Sequence, residues 1–310
     1  MRVIVAFVLL AAVVPAVSQP SVPCGMKHAF DQTDADAPGG TTPVWTDPQG
    51  NLLFIERLNV NTDGTRRSYS VEDFWGEHNA LNNLCNAMSD ACKKMNKEQL
   101  RARRIATQEA ARNGWPKEQL KQTRLSPHII PMPDGKPCPA VDGYLVSATA
   151  LHAKDVQKPC ELSNYVDALT VPAIVIPKGD KSQFAKAGAR VGDLVTAVPL
   201  SATRAVHGVI GDTGPQDKLG EASLAMNGAL LGKTSEPVNY LEVRGRKPFE
   251  GKGWAVPKTL VLIFAKSRDV EAPYLTLDRI GPAAEQRFQA WGGLARARAC
   301  AAAYAQKAGH

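Results

Sequence analysis

Two carboxylates nine residues apart, Asp212 and Glu221, carry the densest chemical signal in this sequence. They sit in the run Gly211-Asp-Thr-Gly-Pro-Gln-Asp-Lys-Leu-Gly-Glu-Ala-Ser223. A β-type stretch, Ala205 to Ile210, leads into this Gly/Pro turn, and a helix is expected to begin near Glu221. Two carboxyls facing each other across a cleft suit glycosidic bond hydrolysis. One holds a proton for the leaving oxygen, and the other is ionised to activate water or attack carbon. The same residues also read as a capped turn, with Asp212 accepting backbone hydrogen bonds and Glu221 in a helix's first turn. Asp63 is a candidate third cleft carboxylate, although Asn61-Thr-Asp-Gly64 is also a plain turn signal. His207, five residues before Asp212, is a candidate substrate contact in the same cleft, with a structural role, a strand His satisfying a neighbour, as the favoured alternative. Tyr69 and Trp254 are candidate sugar-stacking rings, with core packing as the alternative.

The elements that must position these groups are mostly short strands. Leu52 to Val60 alternates apolar and polar side chains and ends in the Asn61 turn. Val171–Ile176, Val191–Val198, Ala205–Ile210 and Thr259–Phe264 are β-type runs punctuated by Gly and Pro, as is Gly143–Ser147. The pattern predicts a β-rich α+β fold built on a small barrel. Residues 19–51 read as an irregular lead-in. Trp75–Met95 reads as a short helix, and Lys97–Thr123 as two helices broken at Asn113-Gly-Trp-Pro116. A helical insertion therefore spans about residues 82–130, and an Ala/Arg-rich helix over 283–306 closes the chain. The basic cluster Arg101, Arg103, Arg104 reads as a solvated helix face.

The chain has 310 residues with a net charge of +7, from 37 basic and 30 acidic side chains. That surplus reads as modest and spread along the chain, and it gives no argument for nucleic acid. Met1-Arg2, the apolar Val3–Val14 and the small residues before Ser18 have the order of a secretory signal peptide cleaved near Ser18. The apolar run is too short for comfortable membrane insertion. The mature chain is expected to be secreted or periplasmic and monomeric. Export makes the six cysteines disulfide candidates. Cys85 with Cys92, Cys138 with Cys160 and Cys24 with Cys300 is one of the 15 pairings that six cysteines allow. Zinc-type spacings are missing, so neither a metal nor a cofactor is expected. Walker, dinucleotide-binding and Gly-x-Ser-x-Gly motifs are missing too.

Gly211-Asp-Thr-Gly-Pro, with Gly220-Glu-Ala-Ser-Leu and Ala229-Leu-Leu-Gly232, resembles the core signature of the glycoside hydrolase family 75 chitosanases. The strand from Ile55 to Tyr69 with its Asp63-Gly64 turn, and Tyr165 to Pro177, look like further pieces of that family in the same order. The resemblance covers about residues 52–80 and 141–292. It implies an inverting endo-hydrolase of chitosan, with Asp212 and Glu221 as the essential pair. With Val191-Gly-Asp-Leu-Val195 ahead of the motif, it also implies a double-psi-like barrel, by fold analogy. The insertion at 82–130 has no counterpart in the resemblance, and the chain reads as a divergent bacterial-type member. Chitosan is a polycation, and a basic protein meets it with a repulsion that an acidic cleft must offset. A related amino-sugar glycan that carries acetyl groups or negative charge, such as peptidoglycan, fits the same residues. So does a secreted protein that only binds glycan.

Overall fold

The computed structural model describes residues 22–154 and 157–305. The signal-peptide reading falls on residues 1–18, outside the described residues. The organising element is β3 (Leu52–Asn61), a ten-residue strand that is apolar on both faces at its start. Leu52, Phe54 and Leu58 enter one apolar cluster with Ile174, Val195 and Ile210. Leu53 and Ile55 enter another with Leu260, Leu262 and the C-terminal helices. A strand covered on both sides needs a near-continuous apolar run, and residues 52–55 supply it.

One edge of β3 pairs antiparallel with β8 (Val256–Ile263), from Leu52↔Ile263 to Leu58↔Val256. Its other edge is shared. The start pairs with β2 (Thr41–Thr46), and the end pairs in parallel with β7 (Glu221–Ser223). From β7 the sheet continues through β4 (Ala173–Pro177), β6 (Val206–Gly214) and β5 (Leu194–Pro199) to β8. The β3/β8 pairing closes six strands into a mixed barrel, parallel at β3/β7 and β4/β6. The β-rich α+β class, the double-psi-like barrel, the helical insertion and the helical C-terminus are thus as expected from the sequence.

Several local expectations differ. The lead-in is not irregular throughout: β1 (Lys27–Thr33) and β2 form an antiparallel pair that extends the sheet beyond β3. Trp75–Met95 is turns and a single 3₁₀ turn over Leu84–Ala87: the Asp73 carboxylate accepts from the N–H groups of Glu77, His78, Asn79 and Ala80, and the Cys85–Cys92 disulfide closes the later part on itself. Gly143–Ser147 contributes only isolated bridges, Leu145 with Tyr69 and Tyr144 with Val141. The closing helix is two: after the short α3 (Gln183–Lys186), α4 (Leu224–Leu231) and α5 (Tyr240–Arg244) come α6 (Leu277–Trp291) and α7 (Gly293–Tyr304), divided at Gly292, whose φ is +119°.

The insertion carries its own core of Tyr69, Phe74, Leu84, Met88, Leu125 and Ile130. Its helices α1 (Lys97–Arg112) and α2 (Lys117–Thr123) break where the sequence indicates. Asn96 starts α1 with a capping box, accepting from Gln99 N while the Gln99 side chain accepts from Asn96 N. Three disulfides join Cys24 to Cys300, Cys85 to Cys92 and Cys138 to Cys160. Among the described residues no helix is long and apolar enough to cross a membrane.

Candidate active site

Register brings the carboxylates together. Asp212 on β6 and Glu221 on β7 both stand opposite Val175 of β4, the strand between them. Two strand spacings separate their backbones, about 9.5 Å. A bulge is decisive here. Ile174 pairs with Ile210, and the next residue, Val175, pairs with Asp212, so Gly211 is skipped. Without the bulge, the period of two would leave Asp212 on the same face as Ile210, in the apolar cluster. With it, Asp212 turns to the opposite face. Only glycine fits at the skipped position, since a Cβ on Gly211 would lie 2.8 Å from the Ala173 Cβ.

Glu221 does not open a helix, as the sequence reading expected. It begins the three-residue β7, and α4 (Leu224–Leu231) starts afterwards, with Ser223 as its cap accepting from Met226 N at 3.1 Å. Likewise Asp212 lies within β6 and not after its end. The turn into β7 depends on Gly220. Its φ is +78°, and a Cβ there would stand 2.3 Å from the Arg57 carbonyl oxygen.

The third carboxylate arrives from β3. Asn61 pairs with Ser223, and its Nδ2 donates to Asp212 Oδ2 at 3.2 Å. Its Oδ1 accepts from Asp63 N at 2.6 Å, an Asx turn that folds Asp63 back toward Asp212. Gly64 completes this turn at φ +84°, packed so closely that a Cβ would fall 2.0 Å from the Val166 carbonyl oxygen. Asp212 Oδ1 also accepts from Thr213 N at 2.8 Å and Ala150 N at 3.0 Å. A cavity of about 10 Å³, lined by Asn61, Asp63, Thr149, Val175 and Asp212 among others, has room for about one water.

All three residues are part-exposed, but Asp63 Oδ1 is itself buried with no hydrogen-bond partner among the described residues, and enough protein surrounds the three carboxyls for desolvation to dominate their titration. Burial pushes Asp63 up to about 8, helped by the charge of Asp212. Burial also raises Asp212, to about 6, while the hydrogen bonds from Thr213, Ala150 and Asn61 favour its charged form. Glu221 rises to about 7 through burial and the charge of Asp212, opposed by Lys218 and Arg244. Near neutral pH the site therefore holds a carboxylate stabilised by three donors beside carboxyls that retain protons. That is the division of labour acid–base catalysis requires.

Tyr69 is 2% exposed and cannot stack on a sugar. Instead Asn82 Nδ2 donates to its hydroxyl oxygen at 3.1 Å, which directs the Tyr69 hydroxyl proton to Asp63. Trp254, 4% exposed, packs over Gly228 and is likewise no stacking surface. His207 leaves the cleft. Its Nδ1 meets Thr196 Oγ1 at 2.9 Å, its Nε2 bonds Glu285 of α6, and its ring lies against Phe288. Burial lowers its pKa, against the pull of Glu285.

Sequence reasoning missed Asn61, Ala150 and Lys218. Asn61 was read only as a turn residue, although an Asx turn has a free amide to donate. Ala150 acts through its backbone N–H, which leaves no trace in residue type. Lys218 sits between the two carboxylates in the motif itself and pairs with Asp36 at 2.7 Å. Among the described residues no cluster of three or more His, Cys, Asp or Glu side chains is placed to hold a metal ion. No protein-family model matches this chain, and a search of curated proteins finds no match either.

Proposed function

We propose that this protein is a secreted glycoside hydrolase that cleaves β-1,4-linked, glucosamine-containing polysaccharide of the chitosan type by an inverting endo mechanism. The observation that carries this reading is the convergence of Asp212, Glu221 and Asp63 on one part-exposed floor, with their proton affinities spread by burial and hydrogen bonding. Glu221 serves as the acid that protonates the departing glycosidic oxygen. Asp212, stabilised as a carboxylate, serves as the base that takes a proton from water. Asp63 keeps its proton because of burial and the charge of Asp212, against the Tyr69 hydroxyl, and acts as a neutral donor beside Asp212. A backbone separation of two strand spacings suits the carboxyl distance of about 6.5–9.5 Å used by inverting enzymes better than the about 5–5.5 Å of retaining ones. Export is supported by the apolar N-terminal segment and by three disulfides, which persist in oxidising compartments.

The test is reducing-end release from chitosan, chitin and peptidoglycan by the purified chain, with NMR of the first product. An α-anomer from a β-linked glycan is expected. A β-anomer would overturn inversion, and binding without release from any of the three would leave a glycan-binding protein.

A further inference from the structure

The positive charge of the chain is not evenly spread. Residues 82–130 hold ten basic and four acidic side chains, a surplus of six out of the seven in the whole chain. The barrel and its C-terminal helices are therefore close to neutral, and the insertion alone is strongly cationic.

Part of that charge serves the insertion's own structure. Arg103 reaches Asp90 through both terminal nitrogens at 3.1 Å and is mostly buried, so it ties α1 to the disulfide-bonded loop. The remainder is presented outward. Lys97, Arg101, Arg104 and Arg112 recur at intervals of four, three and eight residues, which places them along one side of α1 over about 22 Å. Lys97, Arg101 and Arg112 are exposed, and among the described residues none of the four has a carboxylate partner. The Arg104 Nε is a buried donor with no acceptor in the protein. Glu98 and Glu109 lie roughly a quarter of the way round the helix from this row. The row is also firmly mounted. Gln108, in line with it, hydrogen-bonds the Val71 carbonyl and the Glu72 carboxylate, both at 3.4 Å, which sets one acidic group beside the row, and the core beneath includes Tyr69, whose hydroxyl lies beside Asp63.

From this segregated, unpaired and rigid row of cations we propose that the insertion is a docking surface for a polyanionic glycan, a polysaccharide with regularly repeated carboxylate or phosphodiester groups. The choice of a glycan among polyanions rests on the reading of the carboxylate cleft given above. The surface itself disfavours two other occupants, and duplex DNA is set against the glycans in the test below. Single-stranded nucleic acid requires exposed aromatic rings, and the insertion's tryptophan, Trp115, packs into its core. A membrane surface requires an apolar face beside the cations, and Ile105 is the insertion's one large exposed apolar side chain. The natural substrate is then an amino-sugar glycan that carries negative charge, or one embedded with such a polymer. This also removes the repulsion a basic protein would meet on a polycation.

The experiment measures binding of the full-length mature chain to immobilised polygalacturonate, its neutral methyl ester, a phosphodiester-bearing mannan, chitosan and double-stranded DNA, each at two salt concentrations. Binding to one or both anionic glycans is expected, weakened by salt and lost on esterification; which of the two binds identifies the anion. Arg101→Glu with Arg104→Glu should weaken it about tenfold or more, while Arg101→Lys with Arg104→Lys should retain most of it. Equal binding to the ester, indifference to charge reversal, or preference for DNA would each overturn the proposal. Hydrolysis of a short, uncharged chito-oligosaccharide, followed in the same variants, reports separately on the cleft. Absence of anionic-glycan binding by the parent chain with turnover intact refutes the docking surface alone, and absence of turnover with binding intact refutes the hydrolase reading alone.

Discussion

The barrel and its insertion use charged side chains in opposite ways. In the barrel, three carboxyls are drawn into one partly desolvated floor, where burial raises all of them and leaves their proton affinities apart. In the insertion, ten cations and four anions are arranged so that most of the cations face water. Burial converts charge into proton chemistry, because the ionised form loses its hydration and a neighbour's charge is felt strongly. Exposure converts it into a field that acts over about a Debye length, roughly 8–10 Å at moderate salt. The cores differ in the same sense. The barrel buries both faces of its strands, whereas the insertion rests on a smaller cluster and a disulfide that spans seven residues.

The sharpest way to break this comparison is Glu221→Gln, which keeps shape and removes the proton donor. Turnover should fall by about 10²–10⁴-fold while the melting temperature at neutral pH holds or rises, since Gln also removes a carboxyl whose ionised form burial disfavours. Activity retained above a few per cent would take Glu221 out of the chemistry. Next come the disulfides. Loop-closure entropy makes the Cys24–Cys300 link, which spans 276 residues, worth up to about 5.5 kcal/mol and the seven-residue Cys85–Cys92 link about 2.4 kcal/mol. Denaturant titration of the two double-alanine variants should show the larger loss for Cys24 and Cys300. The reverse order would mean that the insertion, not the closure of the chain ends, limits stability.

A smaller effect sharpens the site assignments. With Asp212 ionising at about 6 and Glu221 losing its proton at about 7, kcat/KM should be bell-shaped with its maximum between these values. Asp212→Asn should remove the base itself, so a variant that keeps the acid limb would misplace the base. The smallest expected change is in stability. Asp63 rises from 3.8 to about 8 in the folded chain, so the folded state holds a proton that the unfolded chain has released. Its stabilising contribution is complete below pH about 4 and is lost as the pH climbs through about 8. Asp63→Asn should therefore melt a few degrees higher than the parent at pH 8 and close to it at pH 4. An equal difference at both pH values would show that Asp63 does not titrate as described.

Much of the barrel was legible because its strands are covered on both faces. Val171–Ile176, Val191–Val198 and Thr259–Phe264 are apolar runs that only buried strands tolerate, and each appears within a few residues of its expected limits. The break at Asn113–Pro116 was legible for a local reason, since Gly-Trp-Pro cannot continue a helix. The strand at Lys27–Thr33 was hidden because it is mostly exposed, and Thr41–Thr46, although Thr42, Val44 and Trp45 are buried, was masked by a short run of Thr and Pro. Lys27, His28 and Gln32 make no apolar pattern, and the pairing of β1 rests on β2 and β2's own place at the start of β3. Trp75–Met95 misled because contacts from outside a helical-looking run took it over, the Asp73 carboxylate at residues 77–80 and the Cys85–Cys92 disulfide after them.

By itself, the sequence determined which groups could do chemistry: two carboxylates around a Gly/Pro turn, an Asp-Gly turn after a strand, and six cysteines to pair. Those properties are local, set by residue type and by the dihedral freedom of glycines such as Gly64 and Gly220. Tertiary structure alone decided which of them met. The bulge at Gly211 turned Asp212 away from the core, the shared edge of β3 delivered Asp63 beside it, and the cover of α6 drew His207 off to Glu285. Periodicity specifies which side chains share a face of one strand. It carries no information about register shifts or about what packs against that face, and in this protein those two things determine which groups share a site.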